Sequence, residues 1–172
     1  MQQTFESYRN ALNNHDIEKA LSFLAENFKL VFIDFDMTMT KEQVVDVLGW
    51  DAGANGKVTH GELQIFENTI ASIFSEQNDF LKLIDIPELK AKITYEFGED
   101  GLIEQQLYEA LPNQPSFEKR MRPAVEWAMV HRKEELAVIY PNNQMVFNEE
   151  MARRWVALLQ EWHTATSRKN YQ

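Results

Sequence analysis

Four groups of side chains in this sequence have the types and spacing for proton chemistry. His15 and Asp16 adjoin in "NALNNHDIEKALSFLAENFKLVF". They read either as an acid/base pair or as a helix entrance, with Asp16 as the N-cap. Asp34 and Asp36 alternate in "FKLVFIDFDM". On a strand they share a face with Leu30 and Phe32, and a carboxylate among aromatics has its pKa raised toward the range of a general base. The other reading ends the strand there and turns both to water. His60 in "VTHGEL" would serve as acid or base beside a carboxylate, or as a structural histidine. Glu104 and Gln106 alternate in "LIEQQLYEAL" and would orient a ligand if that face lines a cavity. No metal-ligand cluster, phosphate-cradling glycine loop or nucleophile motif stands out, so neither metal nor cofactor is expected.

These groups must be held by regular elements. Phe5, Tyr8 and Leu12 recur at helical spacing. After Asp16, Ile17, Ala20, Leu21, Leu24 and Phe28 predict a second helix. Because Asp16 suits its cap, His15 and Asp16 point apart, which disfavours a dyad. "FKLVFIDFDM" predicts a buried strand. Thr40 and Gln43 have capping-box spacing and open a helix through Val44, Val47 and Leu48 to Trp50, followed by a "DAGANG" loop. A β-rich series follows: "KVTHGELQIFE", "TIASIFSEQ", "DFLKLIDI", "ELKAKITYEF" and "LIEQQLYEAL". The third and fourth read as one strand bent near Pro87. "GEDG" supplies a hairpin turn. Pro123 fits the first turn of a later helix, and Asn148 caps a last one striped by Met151, Trp155, Leu158, Leu159 and Trp162.

In "ELKAKITYEF" the alternation puts Leu89, Ala91, Ile93, Tyr95 and Phe97 on one face. An even hairpin loop adds Glu104, Gln106 and Tyr108 to it, and an odd loop or bulge reverses them. Trp50, Tyr95 and Tyr108 are pocket-wall candidates or core packing. The predicted architecture is α+β: residues 1–112 form a curved, mostly antiparallel sheet around the N-terminal helices, leaving a conical cavity, and residues 113–172 form a helical extension packed on it.

Composition narrows the function classes. The chain has 172 residues, a formal net charge of −10 and no cysteine. That charge disfavours nucleic acid and anionic membrane surfaces as partners. Without cysteine there are no disulfides or thiolate ligands. The N-terminus lacks the charge-then-apolar pattern of a secretory signal and no apolar run spans a bilayer, so a cytoplasmic location is expected.

The element order, with "YRNALNNHDIEKALSFLAENFKLVF", "VTHGELQIF" and "YEFGEDGLIEQQLYE", resembles the nuclear transport factor two-like superfamily, including SnoaL-like and ketosteroid isomerase-like members with the cystatin-like fold. The resemblance implies a cone-shaped domain and a homodimer. Isomerase-like members have a first-helix tyrosine, matched here by Tyr8. Their catalytic base falls on Phe32, with Asp34 two residues later on the same face. Their second acid falls on Ile93. Many SnoaL-like members have a histidine where His60 stands. A steroid isomerase is therefore disfavoured.

Three functions remain in play. The first is binding of a small, partly apolar molecule by Phe32, Trp50, Ile93, Tyr95, Glu104, Gln106 and Tyr108. The second is a cofactor-free isomerase, dehydratase or cyclase with Asp34 or His60 moving a proton and Tyr8 steadying an oxyanion. The third is a non-catalytic interaction or dimerisation module.

Overall fold

The computed structural model describes residues 1–112 and 114–167. Its elements, in chain order, are α1 (Gln2–Asn13), α2 (Ile17–Leu21), β1 (Leu24–Phe32), a 3-10 turn (Ile33–Phe35), β2 (Met37–Thr40), α3 (Lys41–Gly53), β3 (Lys57–His60), β4 (Gln64–Ile65), β5 (Thr69–Gln77), α4 (Asp79–Leu83), β6 (Leu89–Phe97), β7 (Ile103–Ala110), α5 (Phe117–His131), α6 (Lys133–Ile139), a 3-10 turn (Pro141–Asn143) and α7 (Glu149–Ser167). The fold is α+β. The strands form one sheet in the order β2-β1-β7-β6-β5-β3, with β4 beside β5. Only the β1–β7 pairing is parallel.

Local chemistry sets most element boundaries. Asp16 caps α2, its Oδ1 accepting from the Lys19 N–H at 3.0 Å. Such a bond is worth about 1 kcal/mol. Thr40 and Gln43 form the capping box of α3, with Thr40 N–H donating to Gln43 Oε1 at 2.9 Å. Asn148 caps α7, accepting from Met151 N–H at 2.9 Å.

Four expectations are corrected. The second helix stops at Leu21. Leu24 and Phe28 belong instead to β1, where Phe28, Leu30 and Phe32 alternate inward, because pairing with β2 and β7 outweighs the local helical period. "DFLKLIDI" is no strand. Asn78 Oδ1 accepts from Leu81 N–H at 2.7 Å and starts α4, so β5 and β6 are separated by a helix rather than a bend. α3 continues into "DAGANG" as far as Gly53. Pro123 lies inside α5, because Ser116 caps that helix two turns earlier.

The buried apolar residues fall into two clusters. One fills the space between α1, α3 and the inner face of the sheet, around Phe5, Tyr8, Phe28, Val44, Leu48, Ile70, Ile93, Tyr95 and Ile103. The other joins the C-terminal half of α3 to α4, α5, α6 and α7, around Trp50, Phe80, Ile84, Ile139, Trp155 and Leu159. α3 serves both. Its Gly53 lets α7 approach so closely that a Cβ there would strike the Glu149 carbonyl oxygen and the Ala152 side chain.

Candidate functional site

The register of the sheet defines its inner face. Phe32 lies beside Tyr108, Tyr108 opposite Ile93, and Ile93 opposite Ser72. One row along, Leu30, Gln106, Tyr95 and Ile70 align. On the other side of the first row, Ala110, Ala91, Phe74 and His60 align, and then Leu89, Glu76 and Val58. This face is aromatic, with sparse polar atoms.

Its inner rows are closed by α1. Phe5 meets the rings of His60 and Tyr95, both at 5.1 Å between centroids, and Tyr8 meets Tyr95 at 6.2 Å. Tyr8, Ile93 and Tyr95 are therefore core, with at most 2 % of their surface exposed. Ile93 and Tyr95 pack the floor of the cone rather than presenting a free surface to a ligand. Phe32, Phe74, Gln106 and Tyr108 remain half-buried. Tyr108 contacts Phe32 at 5.1 Å and Phe74 at 6.3 Å, making a partly open aromatic wall.

Two hydrogen bonds join polar atoms inside this frame. Tyr8 OH donates to Gln106 Oε1 at 3.4 Å. His60 Nε2 and Tyr95 OH lie 2.9 Å apart. Burial, helped by the nearby Arg9 charge, pushes His60 down to about 4, so the ring is neutral at pH 7. Burial raises both Tyr8 and Tyr95 above the ordinary tyrosine range, keeping them as O–H donors. Tyr108 is pushed up to about 12 by burial and by the Glu76 and Asp34 charges.

Three sequence candidates are not brought to this surface. Asp34 lies on the exposed 3-10 turn after β1. Its Oδ2 accepts from Ala110 N–H at 2.6 Å, which fixes the turn to the end of β7 rather than aiming a base inward. Glu104 is turned out by a bulge: Glu96 pairs with Gln105 but Phe97 with Ile103, so an extra residue stands between inward Ile103 and inward Gln106. Trp50 belongs to the helical cluster, where it meets Phe80 at 5.3 Å and Phe147 at 5.0 Å.

The structure adds two carboxylates that sequence reasoning missed. Asp51, near the end of α3, and Glu76, on the inner face of β5, lie close enough to repel each other. Both are densely surrounded by protein while keeping some accessible surface. Desolvation first, then the Glu76 charge, pushes Asp51 well above the usual carboxylate range. Desolvation likewise raises Glu76, against a hydrogen bond from Asn78 Nδ2 to Glu76 Oε1 at 2.5 Å. Asp51 also acts on Tyr8, and Glu76 on Tyr108. Glu76 was legible: the alternation of Ile70, Ser72 and Phe74 continues to it. Asp51 was hidden by the loop-like "DAGANG" composition. Among the described residues no group of three or more His, Asp or Glu side chains is placed to hold a metal ion. No helix there is long and apolar enough to cross a membrane.

No protein-family model matches the sequence. No curated protein is significantly similar to it. Solved structures do match. An NTF2-like protein of unknown function from Cytophaga hutchinsonii aligns with a TM-score of 0.51 at 15% identity, over 64% of this chain and 89% of that one. SalBIII, an epoxide hydrolase/cyclase-like enzyme with a role in pyran ring formation in the polyether salinomycin, aligns at 0.55 and 11% identity, over 64% and 90%. RV0760c from Mycobacterium tuberculosis, in complex with estradiol-17beta-hemisuccinate, aligns at 0.53 and 19% identity, over 67% and 97%. The fold is thus the NTF2-like, cystatin-like one, carried by about two-thirds of the chain.

Proposed function

We propose that this protein binds a small, partly apolar molecule against the half-buried wall of Phe32, Phe74 and Tyr108. What supports the reading is the approach of few polar groups to a half-buried aromatic surface: Gln106, the Tyr8 hydroxyl behind it, and the Asp51–Glu76 pair. Such walls supply affinity through apolar contact, and the polar atoms fix orientation. The steroid-bound state of RV0760c, on the same fold, supports a ligand of that size class. A thermal-shift screen of steroid-sized compounds tests it. A binder present at a hundred times its Kd stabilises by about 2.7 kcal/mol. The shift should vanish in Gln106→Leu and Tyr108→Ala. Stabilisation that survives both variants, or a screen without any stabiliser, would refute the site.

A second reading is favoured by the raised carboxylates. An acid pair whose carboxyl groups burial raises above their ordinary range, with Tyr8 and Tyr108 as donors, is equipped to move a proton on a bound substrate. Asp51 and Glu76 then take the place of Asp34 and His60 as acid/base groups. On this reading Glu76→Gln removes turnover while leaving ligand-induced stabilisation in place. Self-association is a separate proposal: exposed Ile73, on the outer face of β5, and Phe66, just past β4, would meet a second copy. Light scattering of Ile73→Lys against the parent checks it, a loss of dimer being expected.

A further inference from the structure

Between α1, α2 and α3 lies a cavity of about 10 Å³, lined chiefly by Ala11, Leu12, Ala20, Leu48 and Val58, with His15 and Asp51 as its polar walls. That is close to the volume one water centre requires. Two facts make the cavity chemically unbalanced as protein alone. His15 Nε2 is buried without a hydrogen-bond partner. The Asp51 carboxylate makes no hydrogen bond to any described residue. Leaving the buried His15 nitrogen bare costs roughly 1–3 kcal/mol, whereas Asp51 keeps some accessible surface. A third fact concerns the backbone: His15 has φ 57°, a left-handed conformation uncommon outside glycine, in which histidine, asparagine and aspartate are the enriched exceptions. The His15 and Asp16 amides are tied back to Leu12 and Ala11 oxygens at 3.0 Å, which holds the ring over the cavity.

We infer that this cavity is a single-water site joining His15 Nε2 to the Asp51 carboxyl group, and that through it the inner acid pair communicates with the protein surface. One water serves either protonation state. It accepts from Nε2–H while donating to a carboxylate, or it donates to a bare Nε2 while accepting from the carboxylic O–H. His15 is half-buried, with Asn55 and Lys57 beside it, so its ring reaches from the cavity toward solvent. Asp51 faces the cavity on one side and Glu76 and Tyr8 on the other. Val58 connects the two sides, since it lines the cavity and stands directly across the ladder from Glu76. Hydration of Asp51 would offset part of its burial and keep it ionisable. The inference stands whether or not a ligand occupies the cone.

The test is a high-resolution crystal structure of the full chain together with carbon-13 titration of the Asp51 carboxyl group. The groups acting on these two side chains are Glu76, Tyr8, Lys57, Asn55 and Glu149. We expect one ordered water within hydrogen-bonding distance of both His15 Nε2 and Asp51. The variant His15→Asn suits the left-handed backbone and so keeps the turn, but its side chain is too short to reach. In it the water should be lost or displaced, and the Asp51 titration should move upward by about half a unit or more, since a hydrogen bond to the charged form is removed. A dry cavity in the parent, a direct His15–Asp51 bond, or an unchanged Asp51 titration in His15→Asn would overturn the inference.

Discussion

The two apolar clusters of this molecule are built on opposite principles. The helical one, around Trp155, Phe80, Ile139 and Leu159, is almost wholly hydrocarbon. Its prominent polar atom, the Trp155 indole N–H, is satisfied by the Ile139 carbonyl at 3.2 Å. The cluster within the cone contains Tyr8 and Tyr95, with His60, Asp51 and Glu76 nearby and with Ser72 and His60 atoms that have no partner. Buried polar groups are costly unless fully bonded. A domain that retains them needs stability from elsewhere, and the helices that pack on α3 and α4 supply a dry core for it. The difference teaches where selection for folding ends and where another requirement begins.

The largest expected effect sharpens this contrast. Trp155 is fully buried and contacts Phe80 at 5.9 Å and Tyr140 at 5.7 Å. Trp155→Ala should cost about 3–5 kcal/mol, through lost burial and an uncollapsed cavity. Urea unfolding measures this, with the m-value as a check on the unfolded state. A loss below about 1 kcal/mol would mean that the helical layer is not a principal source of stability, and the contrast would fail.

How much of this was legible in the sequence follows the same division. The α+β class, α1, both inward-facing strands of the hairpin, the Asp16 and Asn148 caps and the Thr40–Gln43 box rest on short-range chemistry, and they appear in the structure where the residues put them. What failed depended on partners distant in the chain. Leu24 and Phe28 fit a helix by their own spacing, but the β7 and β2 edges claim them. "DFLKLIDI" has apolar runs compatible with either period, and the demand of the helical cluster for Phe80, Leu81 and Ile84 decides it. The site suffered most. A single bulge removes Glu104, an unforeseen turn removes Asp34, and the acid pair joins residues 25 positions apart on different elements.

The next effect separates charges within the cone. His60 is lowered to about 4 from 6.5, so its ring resists protonation in the folded state. Between those values the unfolded chain binds the extra proton, and stability falls as the pH drops from 6.5 toward 4. Asp51 and Glu76 are shifted the other way. Their folded forms hold protons more tightly than the unfolded chain does, so their contribution falls as the pH rises from about 4 through their raised folded values. Across pH 4 to 6.5 the two trends oppose each other. The parent's profile is the sum of the two trends. His60→Phe should expose a decline with rising pH, whereas the double variant Asp51→Asn, Glu76→Gln should expose an increase. Chemical denaturation at several pH values reads both slopes. Parallel profiles in all three proteins would show that these groups are not held apart from water as described.

The smallest effect examines one bond of that polar interior. Tyr95 is 1 % exposed, and its hydroxyl lies 2.9 Å from His60 Nε2. Tyr95→Phe keeps the ring contacts with Phe5 and Tyr8 and removes only this oxygen. His60 Nδ1 is already unpartnered, so the variant leaves the whole buried imidazole without a partner. A loss of about 1 kcal/mol is expected, the lower end of what an unmet buried nitrogen costs. The companion variant His60→Phe, combined with Tyr95→Phe, replaces both partners by apolar rings and should recover most of that loss, as paired removals do. In the helical cluster no such recovery is available, since its large side chains are joined by packing rather than by paired polar atoms. A Tyr95→Phe variant as stable as the parent would show that the cone tolerates polar loss as readily as the dry core tolerates nothing, and would erase the distinction between the two at its most specific contact.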